Sequence, residues 1–74
     1  MVDIISDREK QVLELTAYEY STKEIAQKLD ISPHTAISHR KNIMQKLRVK
    51  NAAGMIRKGF QMGLLSIEGK YHQI

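Results

Sequence analysis

Residues 21–47 read STKEIAQKLDISPHTAISHRKNIMQKL, and this stretch decides the fold of the chain. Ser21 and Glu24 have the spacing of a capping box, in which the hydroxyl and the carboxylate satisfy amides at a helix start. Ser32 and Pro33 indicate a second start, because serine is a preferred N-cap and proline is favoured at the first helical position. The stretch therefore predicts a short helix, a tight turn and a longer helix, which is the outline of a helix-turn-helix.

Two further helices are predicted on either side of this stretch. Ser6 and Glu9 form another capping box, and the apolar residues that follow it recur at helical spacing, so we expect a helix over 7–17. Asn51 is a favourable N-cap for a last helix over about 52–62. The predicted fold class is all-α, a four-helix bundle that contains the helix-turn-helix.

The same spacing predicts which side chains face the interior of the bundle. The expected inward residues are Val12, Leu13, Ile25, Ala26, Leu29, Ala36, either His39 or Arg40, Ile43, Leu47, Met55, Ile56, Phe60 and Leu64, with Ile31 filling the turn. No periodicity follows them. We therefore expect one domain over residues 1–66 and a disordered tail over 67–74.

Composition excludes several classes of function. The chain has 74 residues and no cysteine, which excludes disulfides and thiolate–metal sites. No apolar run approaches the roughly 20 residues that span a bilayer, and the N-terminus has no signal-peptide pattern, so a cytoplasmic location without membrane contact is expected. There is no glycine-rich phosphate loop and no cluster of ligating or acid–base residues. We predict no enzymatic activity, no metal and no cofactor.

Charge is segregated along the chain. Residues 1–30 carry four bases and seven acids, whereas residues 31–67 carry seven bases and no acids. The net charge is +4 and the sequence pI is about 9.6, above the value of roughly 9 that is typical of nucleic-acid-binding domains. Such segregation favours an anionic partner at one face.

The outer face of the longer helix suits the reading of DNA bases in the major groove. The residues predicted to face bases are Ile37, Ser38, Lys41 and His34. Lys41 can donate to guanine, and Ile37 can contact a thymine methyl group. Double-stranded DNA is therefore the predicted partner, although an amphipathic bundle helix with a solvated basic face would show the same pattern.

Flanking residues suit contacts with the DNA backbone. The predicted phosphate contacts are Thr22, Lys23, Thr35, Arg40 and Lys46. Phosphate contacts set the register of a protein on DNA and supply most of the salt-dependent affinity, while base contacts select the sequence.

Over roughly Ile5 to Leu65, and without gaps in the spacing, the chain also resembles the LuxR/NarL-type helix-turn-helix domain. The residues that carry the resemblance are Ile5-Ser6-Asp7-Arg8-Glu9, Val12-Leu13, Lys23-Glu24-Ile25-Ala26, Leu29, Ile31-Ser32, Thr35, His39-Arg40, Asn42-Ile43-Met44, Lys46-Leu47, Val49, Asn51 and Gly63-Leu64. The resemblance implies a four-helix DNA-binding domain of bacterial transcription regulators, often the C-terminal output domain of a two-component response regulator. It implies that the third helix reads the groove and that Ile37, Ser38 and Lys41 face bases.

The resemblance also implies a homodimer contact through the fourth helix when the domain is on DNA. The residues predicted for that contact are Ala52, Met55, Gly59 and Met62. RNA polymerase is a further candidate partner. The chain is too short to include a regulatory domain of typical size, so we expect either an excised output domain, which the resemblance favours, or a stand-alone regulator.

Three positions depart from the family pattern. Glu19 stands where glycine is usual, at a helix-ending position that favours a left-handed backbone, so either mild strain or a different joint is expected there. Ala36 replaces a usual valine. Gly59 replaces a usual alanine inside the fourth helix, at a cost of about 1 kcal/mol in helix propensity.

Two other functions fit part of the pattern. The promoter-reading C-terminal region of a sigma factor shares the rhythm of residues 8–13 and 24–32, although residues 39–44 favour the LuxR type. A small helical adaptor could instead bind a protein through the fourth helix without contacting DNA.

Overall fold

The computed structural model describes residues 5–66 and confirms the all-α prediction. The described residues form four α-helices and no β-strand: α1 (Asp7–Ala17), α2 (Thr22–Leu29), α3 (Pro33–Leu47) and α4 (Ala52–Gln61). None of these helices is long and apolar enough to cross a membrane. The predicted boundary between a domain at 1–66 and a tail at 67–74 concerns residues outside those described.

Both predicted capping boxes are present. In α1 the Ser6 hydroxyl accepts from the Glu9 amide at 3.1 Å, and the Glu9 carboxylate accepts from the Ser6 amide at 2.9 Å. In α2 the pair Ser21 and Glu24 makes the same two bonds at 3.2 and 2.9 Å. Each box satisfies amides that the first helical turn leaves without partners.

The remaining two helices begin at the predicted N-caps. The Ser32 hydroxyl accepts from the Thr35 amide at 3.0 Å, with Pro33 at the first helical position of α3. The Asn51 side chain accepts from the Gly54 amide at 2.9 Å and begins α4. Helix starts could be predicted because every partner lies within three residues.

The core lies where the four helices meet and contains most of the predicted inward residues. The fully or almost fully buried hydrophobic residues are Val12, Leu13, Ile25, Ala26, Ala36, Ile43, Leu47, Met55 and Leu65. Leu29, Ile31, Ile56 and Leu64 are half-buried against them. The prediction for Phe60 is wrong: its side chain is 40% exposed. At about 100° per residue, Phe60 lies about 140° around the helix from Met55, and Gly59 takes the inward position instead.

Three joints between helices use the left-handed region of backbone space. Glu19 has φ 70°, Asp30 has φ 56° and Arg48 has φ 58°. The strain predicted at Glu19 is confirmed, because non-glycine residues rarely adopt positive φ. Asp30 and Arg48 cap α2 and α3 in the same way, and no sequence pattern indicated them.

Candidate nucleic-acid interface

Helix α3 is anchored to the core by one face and presents the opposite face to solvent. Ala36, Ile43 and Leu47 are buried, which fixes the rotation of the helix. The four side chains predicted to meet bases all lie away from this buried face: His34, Ile37 and Lys41 are exposed, and Ser38 is half-buried. Ile37 is 42% exposed, so its apolar side chain is available for contact on this face.

The first turns of α2 and α3 hold three of the residues predicted to contact phosphate. Lys23 is exposed and Thr22 is half-buried in the first turn of α2. Thr35 is half-buried in the first turn of α3, and its hydroxyl shares a hydrogen bond of 2.8 Å with the Ser32 hydroxyl. Helix N-termini attract anions through their free amides and the helix dipole.

Arg40 lies closer to the buried face of α3 than the other predicted contacts do. The residue is half-buried, and its Nε atom is buried without a hydrogen-bond partner. A buried donor that is left unpaired costs free energy, so this guanidinium is not satisfied by the described part of the fold alone.

Lys46 has a partner that the sequence did not reveal. Its Nζ atom lies 2.7 Å from Oε1 of Glu9, so the ammonium bridges the last turn of α3 to the first turn of α1. The structure thus engages this charge in an intramolecular ion pair, and a phosphate contact at Lys46 stays a prediction. The two residues are 37 positions apart, and no local pattern connects them.

Opposing effects act on the Glu9 carboxyl. Burial, the largest effect, raises its pKa, because a desolvated carboxylate is disfavoured. The hydrogen bond and charge of Lys46 and the bonds from Ser6 lower it, and the pKa stays below its ordinary value of 4.5. At neutral pH Glu9 is thus ionised, and its negative charge lies 2.7 Å from the Lys46 ammonium.

The four residues predicted as dimer contacts differ in how exposed they are in the monomer. Met55 is fully buried, and Gly59 is buried beneath Leu65, so neither reaches the surface of the monomer. Ala52 is half-buried, and Met62 is 40% exposed. These four positions follow the inward side of α4. Its outward side carries the exposed residues Ala53, Arg57 and Phe60.

A groove of about 610 Å³ lies apart from α3, between the C-terminal ends of α1 and α4. Tyr18 and Phe60 are among its lining residues, together with the charged side chains of Lys10, Glu14 and Glu19. Because no α3 residue lines it, this groove is separate from the candidate interface.

Comparison with known proteins assigns the chain to a family. Residues 3–58 match the family described as "Bacterial regulatory proteins, luxR family". Over 67 residues the chain is 40% identical to the transcriptional regulatory protein MctR of Rhizobium johnstonii, covering 90% of this chain and 31% of MctR. Over 64 residues it is 39% identical to the spore germination protein GerE of Bacillus subtilis, covering 86% of each chain.

Solved structures agree with the sequence comparisons. The structure of the transcription factor GerE superposes with a TM-score of 0.83 at 33% identity, covering 89% of this chain and 98% of GerE. The response regulator ChrA of a heme-sensing two-component system gives a TM-score of 0.82 at 32% identity, over 85% of this chain and 31% of ChrA. The chain thus spans about a third of MctR and ChrA and most of GerE. It belongs to the luxR family of bacterial regulatory proteins, whose helix-turn-helix domain binds DNA in transcription regulation.

Proposed function

We propose that this chain recognises a specific DNA sequence by inserting the outer face of α3 into the major groove. The observation that carries the proposal is the exposure of Ile37 and Lys41 on a helix whose opposite face is buried. Ile37 supplies an apolar surface for a thymine methyl, and Lys41 supplies donors for guanine. Ser38 and His34 add hydrogen-bonding groups toward the start of the same helix.

Backbone contacts complete the proposed interface. Thr22, Lys23 and Thr35 stand in the first turns of α2 and α3, where free amides and the helix dipole favour a phosphate. Arg40 is half-buried on α3, and its cationic guanidinium is of the kind that binds phosphate by charge-assisted hydrogen bonds. Lys46 is omitted from this set because Glu9 holds its ammonium.

The test begins with selection of bound sequences from a random DNA pool, followed by affinity measurements on the selected duplex. We expect Lys41→Ala to relax the base preference at one position. Lys23→Ala should instead weaken binding to all DNA sequences alike and reduce the slope of log affinity against log salt by about 1. Lys10→Ala is the matched control, since Lys10 is exposed on α1 beside the separate groove. Unchanged affinity in both Lys41→Ala and Lys23→Ala would contradict the model.

A homodimer on DNA, with half-sites about one helical turn apart, belongs to the same proposal. The outward side of α4 supports it better than the inward side, because Phe60 exposes apolar surface there beside the exposed Arg57. Action in the bacterial cytoplasm, with RNA polymerase as a second partner, fits a regulator of this family.

The alternatives make different predictions. The family match favours the LuxR type over a sigma-factor region. A protein adaptor that uses only α4 would show no selected DNA sequence and no response to Lys41→Ala.

A further inference from the structure

One ion pair joins the start of the bundle to the end of its third helix. Lys46 Nζ and Glu9 Oε1 are 2.7 Å apart, and the side chains are 27% and 6% exposed. The same Oε1 atom also accepts a hydrogen bond from the Ser6 amide at 2.9 Å, so the capping box of α1 holds the carboxylate independently of Lys46. The acceptor is therefore fixed in orientation, and the bond to Lys46 has a defined direction.

The other contacts between α1 and α3 are less directional. Val12 and Leu13 of α1 belong to the same apolar core as Ile43 and Leu47 of α3. Packing of such side chains favours a class of crossing angle that varies by about 15–20° between helix pairs, and burial of apolar surface is itself non-directional. The ion pair lies beside Leu47, at the end of α3, where it can fix that angle.

We propose that the Glu9–Lys46 pair sets the angle at which α3 presents its base-reading face, so that both are positioning residues for sequence discrimination. This inference rests on the proposed function. It assigns to Lys46 a role in DNA recognition that requires no contact between Lys46 and DNA.

The length of α3 converts a small change of angle into a large displacement. Ile37 lies nine residues before Lys46, about 13 Å along the axis at a rise of 1.5 Å per residue. Pivoting α3 by about 5° at its C-terminal end moves the backbone at Ile37 by about 1 Å, which is twice the tolerance of roughly 0.5 Å of a well-formed recognition site.

The informative variant replaces both partners. Glu9→Gln with Lys46→Met keeps the capping box, which accepts glutamine, and leaves no buried charge unpaired. Removing Lys46 alone would leave the Glu9 carboxylate without its cation and destabilise the domain. The double variant therefore separates positioning from simple stability.

Binding is measured on the selected duplex and on a scrambled duplex, at a temperature where circular dichroism shows each protein folded. We expect the double variant to lose about ten-fold in affinity for the selected duplex and little for the scrambled one. An unchanged ratio of the two affinities would overturn the inference, because a purely structural pair would lower the melting temperature alone. If the double variant is not folded, Glu9→Gln alone replaces it, and the same ratio decides.

A salt titration distinguishes positioning from a direct phosphate contact. Loss of a phosphate contact lowers the slope of log affinity against log salt by about 0.9. We expect the double variant to keep the wild-type slope, while the control Lys23→Met loses about one unit. A slope reduced equally in both would show that Lys46 binds phosphate and would overturn the inference.

The two proposals fail in different ways. A wild-type protein that binds selected and scrambled duplexes equally refutes the proposed function. A wild-type protein that discriminates, together with a double variant that discriminates equally well, refutes only the role of the pair.

Discussion

Leu65 packs directly on the backbone of Gly59. A Cβ atom added at Gly59 would lie 2.8 Å from Leu65 Cδ1, 3.1 Å from its Cγ and 3.3 Å from Leu13 Cδ2. The amides of Leu64 and Leu65 donate to the Gly59 carbonyl at 2.8 and 3.1 Å, which turns the chain back over the helix end. The absence of a side chain at Gly59 thus allows Leu65 to pack into the core.

Gly59→Ala should stabilise the protein less than helix propensity alone would suggest. Alanine gains about 1 kcal/mol over glycine in a helix, but its methyl group meets Leu65. In a Leu65→Ala background only the contact with Leu13 Cδ2 at 3.3 Å remains, so more of the gain should appear. Urea unfolding of the two single variants and the double variant measures this coupling, and strictly additive effects would contradict the contact.

Glu19→Gly should stabilise the domain by about 1 kcal/mol, because Glu19 has φ 70° and glycine adopts positive φ without a Cβ penalty. Glu14→Gly is the matched control: Glu14 is exposed inside α1, where glycine costs about 1 kcal/mol. The two changes should shift the thermal midpoint in opposite directions, and a shared downward shift would refute the assignment of strain.

Acid should destabilise the wild-type protein more steeply than Glu9→Gln. The pKa of Glu9 in the folded protein is below its ordinary value of 4.5. The carboxylate therefore contributes stability above that value and loses it as the pH falls through the folded pKa. Glu24, whose pKa is lowered chiefly by the Ser21 amide, is present in both proteins and cancels from the comparison. The unfolding free energies of the wild-type protein and Glu9→Gln, measured from pH 6 downward, should converge as the pH falls. Two curves of free energy against pH that stay parallel would contradict the prediction.

Phe60→Lys should weaken pairing on a duplex with two half-sites by about ten-fold or more, because an aromatic anchor at an interface is replaced by a charge. Met62→Lys is the control, since Met62 is equally exposed but ends the inward side of α4. Sedimentation of each variant with the duplex reports the stoichiometry. A greater loss of pairing with Met62→Lys would instead favour the dimer surface predicted from the sequence, which includes Met62.

Features that depend on near neighbours could be predicted from the sequence. All four helix starts follow from an N-cap side chain and an amide three residues later, as with Ser32 and Thr35. The buried face of α3 follows from the period of Ala36, Ile43 and Leu47. On α4, however, the inward prediction included Phe60, because a glycine at position 59 gives no apolar signal for the side that packs most closely.

By itself, the sequence determined the helix order, the helix-turn-helix and the exposed face of α3, because caps and periodicity act over three or four residues. Only the tertiary structure decided what Lys46 and Gly59 do. Lys46 meets Glu9 across 37 residues, and Gly59 receives Leu65 where the chain turns back over α4. Both outcomes depend on which surfaces the folded helices bring together, and charge or size at a single position does not specify that.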